Sequence, residues 1–143
     1  MTPEDERYLR RAIAIAVAAR EAGERPFGSL LAGPDGVLAE DHNTANSERD
    51  ITAHPELKLA RWAARELDPD AAAATTMYTS CQPCPMCGYA IERSGLGRVV
   101  YAVSSDQLRT EISPPIPATP PRVRYEGPAL LSEARVALDG FYS

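Results

Sequence analysis

Two short stretches decide the fold of this chain: Thr-Ala-His-Pro-Glu at residues 52–56 and Pro-Cys-Pro-Met-Cys at residues 83–87. Together they form the pattern His-x-Glu followed by Pro-Cys-x-x-Cys. His54, Cys84 and Cys87 carry the nitrogen and sulfur donors that suit Zn²⁺. Three protein ligands leave the fourth tetrahedral position open for water, which distinguishes a catalytic zinc site from a structural one. The pattern therefore predicts a catalytic zinc site.

Both stretches lie where a helix is predicted to begin. Cys84 and Cys87 are three residues apart in a predicted first turn, and the partial positive charge of a helix N-terminus favours thiolates. His54 opens the preceding helix, and Glu56 follows it closely enough to move protons on and off the water. Residues two apart on a regular helix do not face the same way. This role for Glu56 therefore requires an irregular first turn or a wide cleft.

A structural zinc site with four protein ligands is the alternative. Cys81 lies three residues before Cys84, so it is a candidate fourth ligand, and His42 is another. A purely structural site does not require Glu56, which favours the catalytic interpretation. We expect Cys81 to be a small buried residue beside the site.

Composition limits the class of protein. The chain has 143 residues, which predicts one domain over 1–143, and its net charge is −5, which disfavours a nucleic-acid-binding surface. Two of the three cysteines form Cys-x-x-Cys, a pattern typical of metal chemistry in a reducing compartment. Neither a signal peptide nor an apolar run long enough to span a membrane is evident. We expect a cytoplasmic protein with no membrane association.

Hydrophobic periodicity and turn signals predict helices that alternate with strands. The predicted helices cover 3–22, 52–67, 83–94 and 128–141. The predicted strands cover 26–32, 37–40, 75–80, 98–103 and 122–126. The Ala run at 71–74 and the Pro-rich segment 113–121 are predicted loops. This order predicts an α/β fold with helices on both faces of a mixed sheet.

Nearly the whole chain resembles one known group of proteins. Besides the two opening stretches, the resemblance rests on 26–29 (Pro-Phe-Gly-Ser), 41–43 (Asp-His-Asn), 50–56, 97–102 and the closing segment 122–142. The chain resembles the cytidine/deoxycytidylate deaminase-like superfamily, whose signature is His-x-Glu followed by Pro-Cys-x-x-Cys. Within it, the chain is similar to the branch of guanine deaminases, fungal-type cytosine deaminases and bacterial tRNA adenosine deaminases. Two departures are Pro55 and Gln82, where relatives have Ala and Glu.

The resemblance implies a three-layer α-β-α fold around a five-stranded mixed sheet, one Zn²⁺ per chain and a homodimer. It makes His54, Cys84 and Cys87 the metal ligands and Glu56 the catalytic proton carrier. It also assigns substrate contacts to Asn43 and to the backbone of Ala53.

Further substrate-binding candidates implied by the resemblance are Phe27, Asp106, Phe141 and Tyr142. Each has an ordinary structural alternative. Phe27 suits core packing, Asp106 suits a solvated loop, and the two C-terminal aromatic residues suit the packing of a terminal helix. Asn43 likewise suits a turn after a strand.

The expected function is zinc-dependent hydrolytic deamination of a free nucleobase or nucleoside, with release of ammonia. An amino-purine such as guanine or an analogue is the first choice of substrate. Cytosine deaminase and tRNA adenosine deaminase are the alternative enzymes, and an RNA substrate is disfavoured because the C-terminal helix is not basic. A non-catalytic zinc-stabilised binding module is the third class, and Glu56 argues against it.

Overall fold

A computed structural model describes residues 1–113 and 123–141 of the chain. The helices are α1 (Pro3–Glu21), α2 (Ala45–Glu48), α3 (Pro55–Glu66), α4 (Pro69–Ala73), α5 (Pro85–Ser94), α6 (Ser105–Gln107) and α7 (Leu131–Leu138). The strands are β1 (Gly28–Gly33), β2 (Gly36–His42), β3 (Thr76–Cys81) and β4 (Arg98–Val103). A π-helical turn, Leu108–Ile112, follows α6.

The strands form one mixed sheet in the order β2-β1-β3-β4. Strand β1 pairs antiparallel with both β2 and β3, and β3 pairs parallel with β4. The carboxyl ends of β3 and β4 therefore lie at one edge of the sheet, together with the start of β1. In open α/β sheets, ligands bind at the carboxyl ends of the strands.

Helices cover both faces of the sheet, which confirms the predicted α-β-α layers. On one face, Leu31 and Met77 pack against buried residues of α3 and α5. On the other face, Leu30 and Tyr78 pack against Leu9 of α1. The assignment follows from the alternation of side chains along a strand, which sends neighbouring residues to opposite faces.

Helix α1 lies unusually close to the start of β1. A Cβ atom added at Gly28 would stand 2.6 Å from the carbonyl oxygen of Ala12 and 2.7 Å from the backbone nitrogen of Ala16. Only a residue without a side chain fits between these backbones. The glycine of the Pro-Phe-Gly-Ser stretch therefore fixes the distance between α1 and the sheet.

The buried carboxylate of Asp5 links α1 to strands β3 and β4. Asp5 accepts hydrogen bonds from both terminal nitrogens of Arg98, each at 2.9 Å, and from the Tyr78 hydroxyl at 2.7 Å. Asp5 also completes a capping box with Thr2 at the start of α1. Several hydrogen bonds lower the pKa of Asp5 far below its ordinary value, and the one from Arg98 has the largest effect.

Two secondary-structure predictions are wrong. Residues 123–126 form no strand, so the sheet within the described residues has four strands, not the predicted five, and Arg122 lies outside them. The Ala run predicted as a loop lies largely in α4, because Asp68 caps that helix by accepting a hydrogen bond from the backbone of Ala71 and Pro69 occupies its first position. The remaining predicted elements are confirmed, with shifted ends.

The C-terminal helix is shorter than predicted and makes no part of the core. Every described residue from 123 to 141 is exposed, and Leu131 and Val136 of α7 keep 68% and 84% of their accessible surface. Among the described residues, none of the helices has the length and hydropathy needed to cross a membrane.

Candidate active site

Helices α3 and α5 begin next to each other, and their N-termini have the same arrangement of cap residue and proline. His54 and Cys84 both have extended backbone and stand at the N-cap of their helices, and a proline follows each of them at the first helical position. Proline suits that position because its nitrogen has no hydrogen to leave unpaired. Each N-cap carbonyl accepts the first helical hydrogen bond, at 3.1 Å for His54 and 2.8 Å for Cys84. These bonds therefore fix the backbone of both cap residues at the starts of the two helices.

Three donor atoms converge where these helices start. The Nδ1 atom of His54 lies 3.7 Å from the Sγ atom of Cys84 and 3.5 Å from that of Cys87. All three ligand atoms lie within 4.8 Å of one another. This spacing and this set of one nitrogen and two sulfurs fit one tetrahedral Zn²⁺ with an open fourth position. Among the described residues, this cluster includes neither Cys81 nor His42, the alternative fourth ligands.

Glu56 reaches the cluster because His54 lies outside the helix. Helix α3 begins at Pro55, so the two residues are not related by helical geometry, and the irregular start that the sequence required is present. Glu56 is 5% exposed, and its Oε2 atom lies 3.8 Å from the Sγ atom of Cys87. The carboxylate is thus buried beside the metal donors.

The environment of Cys87 favours the neutral thiol when no cation is bound. Cys87 is fully buried, and this burial, followed by the negative charge of Glu56, raises the pKa of its thiol. Zinc binds the thiolate, so metal binding displaces the thiol proton.

A cavity of about 140 Å³ opens beside the cluster. Its described lining residues are Arg25, Phe27, Asn43, His54, Glu56, Cys81, Gln82, Cys84 and Leu108. An engineered cavity of about 150 Å³ holds one benzene molecule. The enclosed space thus matches one six-membered aromatic ring.

Asn43 is held in the cavity wall by its own backbone and side chain. It is 2% exposed, its N–H donates to the carbonyl of Phe27 at 3.0 Å, and its Oδ1 atom accepts from the backbone of Ala45 at 2.9 Å. This leaves the Nδ2 donors to meet a ligand.

The segment that carries Asn43 is fastened to α3 by one lysine. Lys58 Nζ donates hydrogen bonds of 2.9 Å to Asp41 Oδ1, to the carbonyl oxygen of His42 and to Thr44 Oγ1. The acceptors flank Asn43 on both sides, so Lys58 holds that segment in place.

The other predicted substrate contacts have different outcomes. Phe27 lines the cavity, and its contact with substrate stays a prediction. Ala53 is buried, and its N–H and carbonyl already bond to Asp50 and Thr44, so its contact with substrate stays a prediction. Within the described residues Asp106 is not part of the cavity wall; its carboxylate is 74% exposed and pairs with Arg109 at 2.6 Å. Phe141 is 77% exposed in the C-terminal segment, and Tyr142 lies outside the described residues.

Four cavity residues were not predicted as substrate contacts: Arg25, Cys81, Gln82 and Leu108. The sequence marks Gln82 only as a departure from relatives; its Oε1 atom accepts from the backbone of Ser105 at 2.9 Å, which ties the segment between β3 and Cys84 to α6. Arg25 and Leu108 come from two distant connections, and no sequence pattern marks either of them.

The family model for the cytidine and deoxycytidylate deaminase zinc-binding region matches residues 2–103. The range contains all three metal donors and Glu56, and the chain belongs to this deaminase family.

Curated relatives within the family carry three different substrate names. The tRNA-specific adenosine deaminase of Buchnera aphidicola is 33% identical over 105 residues, 73% of this chain and 70% of the relative. The guanine deaminase of Bacillus subtilis is 36% identical over 98 residues, 68% of this chain and 63% of the relative. The probable cytosine deaminase of Schizosaccharomyces pombe is 31% identical over 111 residues, 76% of this chain and 65% of the relative. The aligned region thus spans less than two thirds of the last two relatives.

The X-ray structure of the Bacillus subtilis guanine deaminase has the same fold. It superposes with a TM-score of 0.74 at 28% identity, covering 96% of this chain and 92% of that one. The fold class is confirmed.

Proposed function

We propose that this chain catalyses zinc-dependent hydrolytic deamination of a free nucleobase or nucleoside, with an amino-purine such as guanine or an analogue as the first candidate substrate. The observation that carries the proposal is the meeting of three metal donors, the Glu56 carboxylate and Asn43 at one cavity. Water contributes its oxygen to the ring carbon that bears the amino group, and the carbon–nitrogen bond breaks to release ammonia.

The protons move through Glu56. Zinc, when held by His54, Cys84 and Cys87, supplies a Lewis acid that lowers the pKa of water from about 15.7 to about 7. Glu56 is the one carboxylate among the described residues that line the cavity. It accepts the two protons of the water in turn and delivers one to the ring nitrogen and one to the departing amine. General acid–base help of this kind contributes roughly 10²–10⁴-fold.

The cavity supports a small flat substrate. Its volume of about 140 Å³ suits one ring, so a second ring of a purine would extend toward the mouth. Phe27 offers an aromatic wall, and the Nδ2 donors of Asn43 suit a ring nitrogen or carbonyl oxygen of the base. Cytosine, with a single ring, is the second candidate on this ground.

An RNA substrate is the remaining alternative, and the similarity to tRNA-specific adenosine deaminases favours it. The net charge of −5 opposes it, because RNA backbones are bound by basic surfaces. In α7, the basic residue Arg135 is paired with Asp139 at 3.2 Å. Salt-sensitive binding of a tRNA anticodon stem-loop would favour this alternative.

The test is ammonia release from the zinc-loaded chain. The panel contains guanine, cytosine, adenine, related amino-purines, the corresponding nucleosides and a tRNA anticodon stem-loop. The proposal expects turnover of a free base or nucleoside and its loss in Glu56→Gln, which keeps the size of the buried side chain. Turnover of the stem-loop alone would contradict it.

We also propose that the protein is a cytoplasmic homodimer. Apolar side chains of α7, and Tyr89 of α5 at 76% exposure, are exposed, and large exposed apolar patches often mark protein–protein contacts. The three described cysteines are unpaired thiols, and two are metal ligands that need a reducing compartment. Sedimentation equilibrium tests the dimer, and a monomer at all concentrations would contradict it.

A further inference from the structure

A chain of buried hydroxyl groups ends on the Glu56 carboxylate. Ser29 Oγ lies 2.7 Å from Thr79 Oγ1, and Thr79 Oγ1 lies 2.8 Å from Glu56 Oε1. Ser29 and Thr79 are both completely buried, and they are directly opposite each other on β1 and β3. The three side chains come from three different elements, so the sheet itself holds the carboxylate.

Chemistry fixes the direction of these two hydrogen bonds. A carboxylate oxygen has no hydrogen, so Thr79 donates to Glu56. The single hydroxyl hydrogen of Thr79 is then used, and its oxygen accepts the hydrogen of Ser29. The two carboxylate oxygens of Glu56 therefore have different surroundings. Oε1 accepts the hydrogen bond from Thr79, and Oε2 lies on the side of Cys87.

The hydroxyl pair occupies a place where the fold itself would accept apolar side chains. Ser29 and Thr79 continue the row that contains Leu31 and Met77 on the face covered by α3 and α5. Replacing both partners of a buried hydrogen bond by apolar groups of similar shape is often nearly neutral for stability. Apart from the hydrogen bond that Thr79 donates to the buried Glu56 carboxylate, the fold therefore does not require the two hydroxyls.

We infer that Thr79 is a positioning residue for proton transfer: it fixes the rotation of the Glu56 carboxylate so that Oε2 lies on the side of the metal donors and the cavity, and Ser29 supports it. Proton transfer requires the carboxylate oxygen within about 2.6–3.2 Å of the atom that gives or takes the proton. A carboxylate free to rotate reaches that geometry for a smaller fraction of the time. This inference rests on the proposed role of Glu56 as proton carrier.

The test compares Thr79→Val, which removes the hydroxyl and keeps the shape, with Thr79→Ser, which keeps the hydroxyl. We expect Thr79→Val to lower kcat by about 10- to 100-fold, part of the roughly 10²–10⁴-fold contribution of general acid–base catalysis, with KM and zinc content nearly unchanged. Thr79→Ser should recover most of the loss. Ser29→Ala should lower kcat by about two- to fivefold, because it removes one neutral hydrogen bond.

Thr75→Val is the matched control. Thr75 is 1% exposed and directly precedes β3, the strand of Thr79; its hydroxyl donates to the carbonyl of Ala71 at 2.8 Å. This variant also loses a buried hydroxyl, but its kcat should equal that of the unchanged chain. A loss of kcat as large in Thr75→Val as in Thr79→Val would assign the effect to general destabilisation and overturn the inference.

Crystal structures of zinc-loaded Thr79→Val and of the unchanged chain provide a readout that needs no substrate. We expect the Glu56 carboxylate to be rotated, or to occupy several orientations, in the variant alone. An unchanged single orientation, or an unchanged kcat, would overturn the inference. If no compound is turned over by the unchanged chain, the proposed function fails, and the orientation of Glu56 still decides the role of Thr79. Ser29→Ala provides the same comparison if Thr79→Val does not fold.

Discussion

His54 Nδ1 lies 3.5 Å from the Sγ atom of Cys87, although 33 positions separate the two residues in the chain. The contact exists because α3 and α5 pack side by side and begin at the same edge of the sheet. Burial raises the pKa of the Cys87 thiol, so the neutral thiol is favoured when no cation is bound. A cation bound by the two donors would stabilise the thiolate instead.

The first prediction concerns the identity of the ligands. Cys87→Ser should lose zinc, because a serine hydroxyl is a poor ligand compared with a thiolate. Cys81→Ser should retain one zinc per chain, because Cys81 lies outside the cluster of donor atoms. Metal content measured by mass spectrometry after dialysis checks both variants. Loss of zinc in Cys81→Ser would restore the structural four-ligand alternative.

The second prediction concerns Lys58. Lys58→Met keeps most of the side-chain length but removes three hydrogen bonds of 2.9 Å to the segment around Asn43. We expect KM to rise several-fold and the free energy of unfolding to fall by about 1–3 kcal/mol, since the acceptors lose a charged donor. Arg65→Met, an exposed basic residue on the same helix, is the control and should change neither. An unchanged KM in Lys58→Met would mean that the segment holds its shape without the lysine.

The third prediction concerns Arg25 at the cavity. Within the described part of the chain its guanidinium has no ion-pair or hydrogen-bond partner, and it lines the same cavity as Asn43. Its five N–H donors suit an acceptor oxygen on the substrate. Arg25→Ala should raise KM by about tenfold, as expected for a hydrogen bond to a charged group, and leave kcat within about twofold. A fall in kcat at constant KM would argue against a role in binding.

The fourth prediction concerns acid stability. The pKa of Asp5 is far below its ordinary value of 3.8, so the unfolded chain binds the proton first as the pH falls. The stabilisation by Asp5 is therefore complete above about pH 4 and decreases progressively below it. Urea unfolding should show Asp5→Asn less stable than the unchanged chain at pH 7, with the difference narrowing at pH 3. An equal difference in stability between the two proteins at pH 7 and pH 3 would assign the effect of the substitution to packing instead of charge.

Much of the site could be predicted because its geometry is local. The donors at His54, Cys84 and Cys87 each lie in the first turn or at the cap of a helix, and proline after the cap marks that turn in the sequence. The position of Glu56 beside the metal donors could be predicted from its spacing to His54. The structure explains how Glu56 reaches them, because His54 lies outside the helix.

The parts that could not be predicted depend on contacts between distant segments. Arg25 and Leu108 reach the cavity from separate connections, so no periodic pattern marks them. The predicted strand at 122–126 rested on local propensity, which has effect only where a neighbouring strand supplies hydrogen bonds. The sequence predicts a loop in place of α4, because Asp68 and Pro69 directly follow the predicted helix 52–67 and signal its end, although the same two residues also begin α4.

The most direct test of the account is ammonia release by the zinc-loaded chain with free bases and nucleosides, guanine first, beside Glu56→Gln. The account predicts turnover that falls by roughly 10²–10⁴-fold in the variant while zinc stays at one per chain. Equal turnover by the two proteins would contradict the central claim that Glu56 carries the protons at a catalytic zinc site.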